Sequence, residues 1–300
     1  MPNDCVTYQN SGYFSKLIID YLNQKEELKP LYNRFPTLEN FKFQIEEKEQ
    51  NFPFEIRITL VNSLKNQCKN ITLSETSEKN INSLSLENTF TVTTGHQLNL
   101  FTGPLYFLYK IVSAINLSKE LKQKFPQYNF VPIYWMATED HDMEEIDHIN
   151  LFGQKVQWNH DHNGISGDCP TKGLVNLMDS LIQERNGINK DYQRLFKQAY
   201  EDFSTLADAT RFLVDQIYGD KGVLVIDGND KRFKELFQPS MIKDILNQGF
   251  NELIDDQSNL IKKYGIFLQN MYTYKLNLYN KYESPWEGTR ICKKKNLKSI

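Results

Sequence analysis

The chain has 300 residues, 40% of them hydrophobic and 13% aromatic, enough to build a sizeable core and too apolar for a disordered polymer. Charged residues make up 24% and balance to a formal net charge of -3, so no cationic surplus points to nucleic acid or to an anionic membrane surface. The longest apolar stretch, Pro104 to Leu117, is cut by Lys110 and Asn116, and the N-terminus opens on Met-Pro-Asn-Asp rather than a basic then apolar leader, so a soluble, cytoplasmic protein is expected.

The first 85 residues read as a helical lead-in. Phe14, Leu17, Ile18, Tyr21 and Leu22 recur at helical spacing, and Pro53 starts a second pattern through Ile56, Leu60, Val61 and Leu64. From Thr89 to Thr94 the chain turns β-branched and aromatic, which predicts a buried strand stopping at Gly95. Pro104 then opens a helix with an apolar stripe of Leu105, Leu108, Val112 and Ile115. A second strand is expected from Asn129 to Trp135. A third is expected from Gly222 to Ile226, whose continuous apolar run suits a strand covered on both faces. Between them lie a Gly-rich loop, His160 to Gly173, and one amphipathic helix carrying Phe196, Ala199, Phe203, Leu206, Leu213 and Ile217. Strands alternating with helices predict an α/β fold with a parallel sheet and a large insertion, and such sheets bind ligands beyond the C-terminal ends of their strands.

Cys5, Cys68, Cys169 and Cys292 lie far apart without paired metal-ligand spacing, so reduced thiols are expected and Cys169 reads as a loop thiol. Chemistry is therefore sought at the strand ends. The first gives Thr94-Gly95-His96-Gln97, then Asn99, Thr102 and Gly103 before the helix at Pro104. Gly95 would permit a sharp turn, and the unpaired amides of the new helix would receive a phosphate or carboxylate. His96 and Gln97 would hydrogen-bond the transferred group, although a strand-to-helix turn with a satisfied histidine accounts for the same residues.

The second strand ends in Thr138-Glu139-Asp140-His141-Asp142, and six acids and two histidines fall between Glu139 and Asn150. Adjacent carboxylates repel, so a cationic partner is expected: Asp140, His141 and Asp142 would act as acid and base, hold a substrate amine, or ligate a divalent metal with His148. Glu144, Glu145 and Asp147 equally suit a first helical turn, and His160 and His162 read as loop histidines, so no metal ligand is assigned. Asp227, opening Asp227-Gly228-Asn229-Asp230, reads as a capped turn rather than a ribose binder.

The blocks Thr94-Gly95-His96-Gln97 through Phe101-Thr102-Gly103-Pro104-Leu105-Tyr106, and Tyr134-Trp135-Met136-Ala137-Thr138-Glu139-Asp140-His141-Asp142, closely resemble the bacillithiol biosynthesis cysteine-adding family, BshC. Leu206-Ala207-Asp208-Ala209-Thr210 leading into Gly222 to Asp227 adds a third matching block. The resemblance implies a Rossmann-like core with inserted connecting segments, here residues 1–265 with an insertion at about 155–220. It further implies a ligase that joins the cysteine carboxyl to the amine of glucosaminyl-malate, with a homodimer formed through a C-terminal coiled coil. A free carboxylate is a poor acyl donor, so activation is chemically required, with a nucleotide such as ATP as one candidate source and the cofactor otherwise unknown.

On that reading Gly95, His96, Gln97, Asn99, Thr102 and Gly103 shape a site for the substrate or nucleotide anion, and Asp140, His141 and Asp142 position the amine or take its proton. Family members often carry Gly-Gln-Gln where this chain has Gly95-His96-Gln97, so His96 is read as a polar binder. Residues 266–300 depart from the family pattern and end in a basic tail, with six Lys or Arg against two Glu over 281–300. This predicts a divergent remnant of the C-terminal region and loss of the dimerising coiled coil. Two other functions fit the residues: a truncated core that binds ligand without turnover, and a hydrolase using a metal at Asp140, His141, Asp142 and His148.

Overall fold

A computed structural model describes residues 5–151, 153–184, 189–247 and 257–262. The chain divides into two compact units, Met1–Pro36 with Ser240–Ile300, and Thr37–Pro239. The expected remnant at 266–300 lies outside the described residues.

In the first unit, α1 (Tyr8–Ser11) starts on Thr7, whose hydroxyl accepts the Asn10 amide, and ends at Gly12 with φ 72°. Helix α2 (Lys16–Leu22) is capped in the same way by Ser15, so Phe14 falls before the helix rather than in its stripe. A short 3-10 helix follows (Glu26–Leu31), and the rings of Tyr32 and Phe35 stand 5.2 Å and 5.1 Å from that of Tyr21.

The second unit opens with α3 (Leu38–Asn51), α4 (Phe54–Gln67) and α5 (Glu75–Ser83), in agreement with a helical lead-in. Strand β1 (Thr89–His96) leads through a 3-10 turn (Leu100–Thr102) into α6 (Leu105–Lys124), and β2 (Asn129–Met136) follows. Next come a hairpin of β3 (His148–Leu151) and β4 (Gln154–Gln157), then α7 (Leu174–Glu184), α8 (Lys190–Asp202) and α9 (Leu206–Tyr218). Strand β5 (Leu224–Asp227) closes the sheet, and α10 (Lys231–Asn247) leaves it. Among the described residues no helix is long and apolar enough to cross a membrane.

The sheet has the order β1-β2-β5, parallel throughout, with His96 beside Met136 and Met136 beside Asp227 at its C-terminal edge. Because side chains alternate across a strand, β2 serves two cores. Val131 and Ile133 join Leu224 and Ile226 against Val61 and Leu64 of α4 and Ile81 of α5, whereas Tyr134 and Met136 face Phe107, Ile111 and Ile115 of α6. The helix predicted from Phe196 through Ile217 is two helices. Thr205 breaks it, its hydroxyl accepting the Asp208 amide at 3.2 Å, while the Ser204 carbonyl takes the Thr171 amide. Pro104 sits at the N-cap of α6, with φ -66° and ψ 149°, one position before the expected start.

Candidate functional site

The C-terminal edge of the sheet is where the predicted residues gather. Gln97 leaves the end of β1 and donates its amide Nε2 to Asp140 Oδ2 at 2.7 Å and to Glu145 Oε2 at 2.5 Å. Two carboxylates thus converge on one neutral amide, a place suited to a cationic group. Burial alone would raise the Asp140 carboxyl, but hydrogen bonds from the Asp142 amide and the Gln97 side chain outweigh it and hold Asp140 below the usual carboxylate value. Asp140 is therefore ionised at neutral pH, better fitted to hold an ammonium than to remove its proton.

His96 turns the other way. Its ring lies 4.9 Å from Tyr106 and 5.4 Å from Phe107, over the first turn of α6, and its Nδ1 is 3.1 Å from the Gln97 carbonyl. Burial lowers its pKa, so the imidazole is neutral near pH 7. Adjacent in sequence, His96 and Gln97 join the acidic pair to the start of α6, which has no side-chain cap and whose Phe107 amide turns back to the Pro104 carbonyl at 2.9 Å.

The turn before α6 is strained. Phe101 has φ 52° and Thr102 φ 68°, left-handed values that cost ordinary residues about 1 kcal/mol or more each. At Gly103, φ is 57° and a Cβ would fall 2.3 Å from the Asn99 Cβ, so only glycine fits. Among the described residues the buried Asn99 Oδ1 has no hydrogen-bond partner. Gly95, by contrast, is not at the turn. It is paired with Trp135 inside β1, and a Cβ there would meet only ordinary contacts, so the sharp bend expected at Gly95 belongs to Phe101–Gly103, six residues on.

His141 and Asp142 are exposed at the rim, and Asp142 contributes its backbone amide to Asp140 Oδ1 at 3.0 Å. His148 pairs instead with the buried Asp147, at 3.2 Å, and Asp147 also accepts from Gln157. Among the described residues no group of three His, Cys, Asp or Glu side chains could hold a metal ion. Cys169 is buried, and desolvation pushes its thiol up to about 11, which keeps it protonated and unreactive.

Sequence reasoning missed the residues that fix this edge. The fully buried Tyr134 donates its hydroxyl to the His96 carbonyl at 3.2 Å, and the Ser166 and Gly167 amides bind the carbonyls of Asp140 and Thr138 at 2.6 Å and 3.0 Å. Thr138 donates to Asp227 Oδ1, which also accepts the Asn229 amide at 2.8 Å, the capped turn expected there. Glu145 was within the acidic run but had no signal separating it from its neighbours. A groove of about 490 Å³ between α8, α9 and residues 70–72 shares no lining residue with this edge.

A parallel sheet with an uncapped helix N-terminus and an acidic rim at its strand ends defines a Rossmann-like domain. The family model "Bacillithiol biosynthesis BshC, N-terminal Rossmann-like domain" matches residues 1–296, and the chain belongs to the BshC family. It is 51% identical over 268 residues to the protein named "Putative cysteine ligase BshC" of Flavobacterium johnsoniae, covering 89% of this chain and 51% of that relative. It is 38% identical over 261 residues to the Cytophaga hutchinsonii protein of the same name, covering 87% of this chain and 48% of the relative. The Bacillus cytotoxicus protein so named is 27% identical over 258 residues, covering 82% and 47%. The chain spans about half the length of these curated relatives.

Proposed function

We propose that this chain carries the substrate-binding and catalytic core of a cysteine ligase that joins the cysteine carboxyl to the amine of glucosaminyl-malate in the cytoplasm. The observation that carries the proposal is the Gln97 amide shared by Asp140 and Glu145, beside an uncapped helix N-terminus. The ionised Asp140 holds the incoming ammonium, with Glu145 as its second acceptor and Asp142 fixing the Asp140 rotamer through its amide. His141 stands at the exposed rim beside Asp140, placed to take the amine's proton. The open amides of α6 take the anionic end of the acyl donor, and His96 and Asn99 hydrogen-bond it beside Thr102 and Gly103.

Amide formation requires the cysteine carboxylate to be activated, and ATP is the proposed source of the leaving group. The uncapped α6 amides and the side-chain-free Gly103 suit a phosphate in size and charge. In the joining step the bound ammonium first releases a proton to solvent at the exposed rim, the free amine forms the C–N bond to the acyl carbon as the bond to the phosphate-bearing group breaks, and the second proton on the nitrogen passes to His141. By holding the amine at the strand end, Asp140 converts an encounter into an oriented attack.

The test is to supply purified chain with cysteine, glucosaminyl-malate and ATP and to detect the amide product by mass. Asp140→Asn is expected to lower kcat/KM for glucosaminyl-malate about 100-fold, the scale of a lost charge-assisted contact. No product from the chain, or an unchanged rate in the variant, defeats the proposal.

A further inference from the structure

The left-handed Phe101–Gly103 turn is closed locally by the Gly103 amide, which donates to the Leu100 carbonyl at 2.8 Å. A further grip comes from α8, about a hundred residues further along. The Phe101 amide donates to the Tyr200 hydroxyl at 3.0 Å, and the Phe101 ring meets the Phe196 and Tyr200 rings edge-on, each with centroids 5.5 Å apart. Phe196 and Tyr200 are four residues apart, hence one turn apart on the same face of α8, so together they form a socket for one side chain. Tyr200 is buried, only 5% exposed, and desolvation pushes its phenol pKa far up, so the hydroxyl stays neutral at any working pH.

We infer that Tyr200 is a positioning residue: its hydroxyl and ring hold the strained turn so that Asn99, Thr102 and the first amides of α6 are pre-set for the anionic reactant. Two adjacent non-glycine residues in the left-handed region persist only where surrounding contacts over-determine them. Within the turn the Thr102 hydroxyl donates to the Phe101 carbonyl at 2.5 Å, and Tyr200 adds a side-chain hydrogen bond that reaches the same backbone from another element. The consequence is a mechanical link between the insertion and the reacting edge, because a shift of α8 moves the turn with it. This inference rests on the ligase reading for its kinetic consequence but not for its structural one.

The experiment compares the chain with Tyr200→Phe, which keeps the ring and deletes the acceptor, and with Phe196→Leu as a packing control. Hydrogen exchange is followed on peptides covering residues 97–104, alongside melting temperature and steady-state ligation. Tyr200→Phe is expected to speed exchange at the turn and to lower kcat about tenfold, with KM for cysteine and the melting temperature little changed. A purely structural tyrosine would move the melting temperature and leave kcat alone, and that pattern overturns the inference. A slower reaction with unchanged exchange at the turn also overturns it, since Tyr200 would then act elsewhere. If the unaltered chain forms no product, the ligase reading fails and the exchange comparison decides alone: faster exchange in Tyr200→Phe supports the strut, and equal exchange overturns it.

Discussion

The two ends of the sheet's C-terminal edge do opposite things with their polar groups. Beyond β5, Gln67 accepts the Asp227 amide at 2.9 Å, donates to the Asp227 carbonyl and to Asp230 at 3.1 Å each, and is itself met by the buried Arg211 at 3.3 Å. Arg211 also binds the Val225 carbonyl, and Gly228 leaves room for Trp135, whose ring would lie 2.4 Å from a Cβ there. Beyond β1 the turn is strained, the Asn99 oxygen has no partner among the described residues and the next helix lacks a side-chain cap. At the first end side chains bind the backbone of the strand end itself, with only the Arg211 Nε left over, whereas at the second the strain sits in the turn and the Gln97 amide is given to two carboxylates. Topologically equivalent positions thus divide between holding the fold and presenting polar groups at the rim.

Substitutions at the two ends should therefore separate stability from activity. Gln67→Ala is expected to have the largest effect, about 3 kcal/mol of lost stability, because it strands the Asp227 backbone and the Arg211 guanidinium together. Calorimetry would show this as a fall of about 10 °C in melting temperature. At the other end, Asp140→Asn should leave the melting temperature within about 2 °C while ligation falls as described above. A large drop in its melting temperature would erase the contrast between the two ends.

Gly103→Ala should cost about 2 kcal/mol, since a methyl group must enter space held by Asn99 while φ stays at 57°. Chemical denaturation measures that loss, and a neutral result would show that the turn relaxes freely. The smallest expected effect is at Asp230. Its carboxyl is held down at about 2, chiefly by hydrogen bonds from Arg232, working against burial. A depressed folded pKa means the contribution is present above the unfolded value of about 4 and is lost as pH falls toward 2. Asp230→Asn should flatten the stability profile only in that window. A flattening near neutral pH would contradict the assignment.

Much of the fold is legible in the sequence. The three strands begin within two residues of where the β-branched and apolar runs place them, and the helical lead-in and the α6 stripe follow from spacing alone. The break between α8 and α9 was also written in the chain, as Thr205-Leu206-Ala207-Asp208, but the continuous apolar stripe concealed it. The β3–β4 hairpin carried no usable signal, because His148–Leu151 and Gln154–Gln157 lack a fully buried side. In the site, the pairing of Gln97 with Asp140 was foreseeable from strand order, since both follow neighbouring parallel strands. Glu145, Tyr134, Ser166 and Tyr200 were not, because each acts through a contact long in sequence or indistinguishable from its neighbours.

The sequence by itself determined where strands end and which residue types stand there, because hydrophobic period and turn chemistry are local properties read over a few residues. Only the tertiary structure decided which of those residues meet. It set His96 against α6 and Gln97 against Asp140, moved the backbone strain from Gly95 to Phe101–Gly103, and brought Tyr200 of the insertion onto that turn. Left-handed backbone at a phenylalanine and a threonine is unfavourable locally, so no local reading of the chain would choose it. It exists here because contacts from about a hundred residues away make every alternative worse.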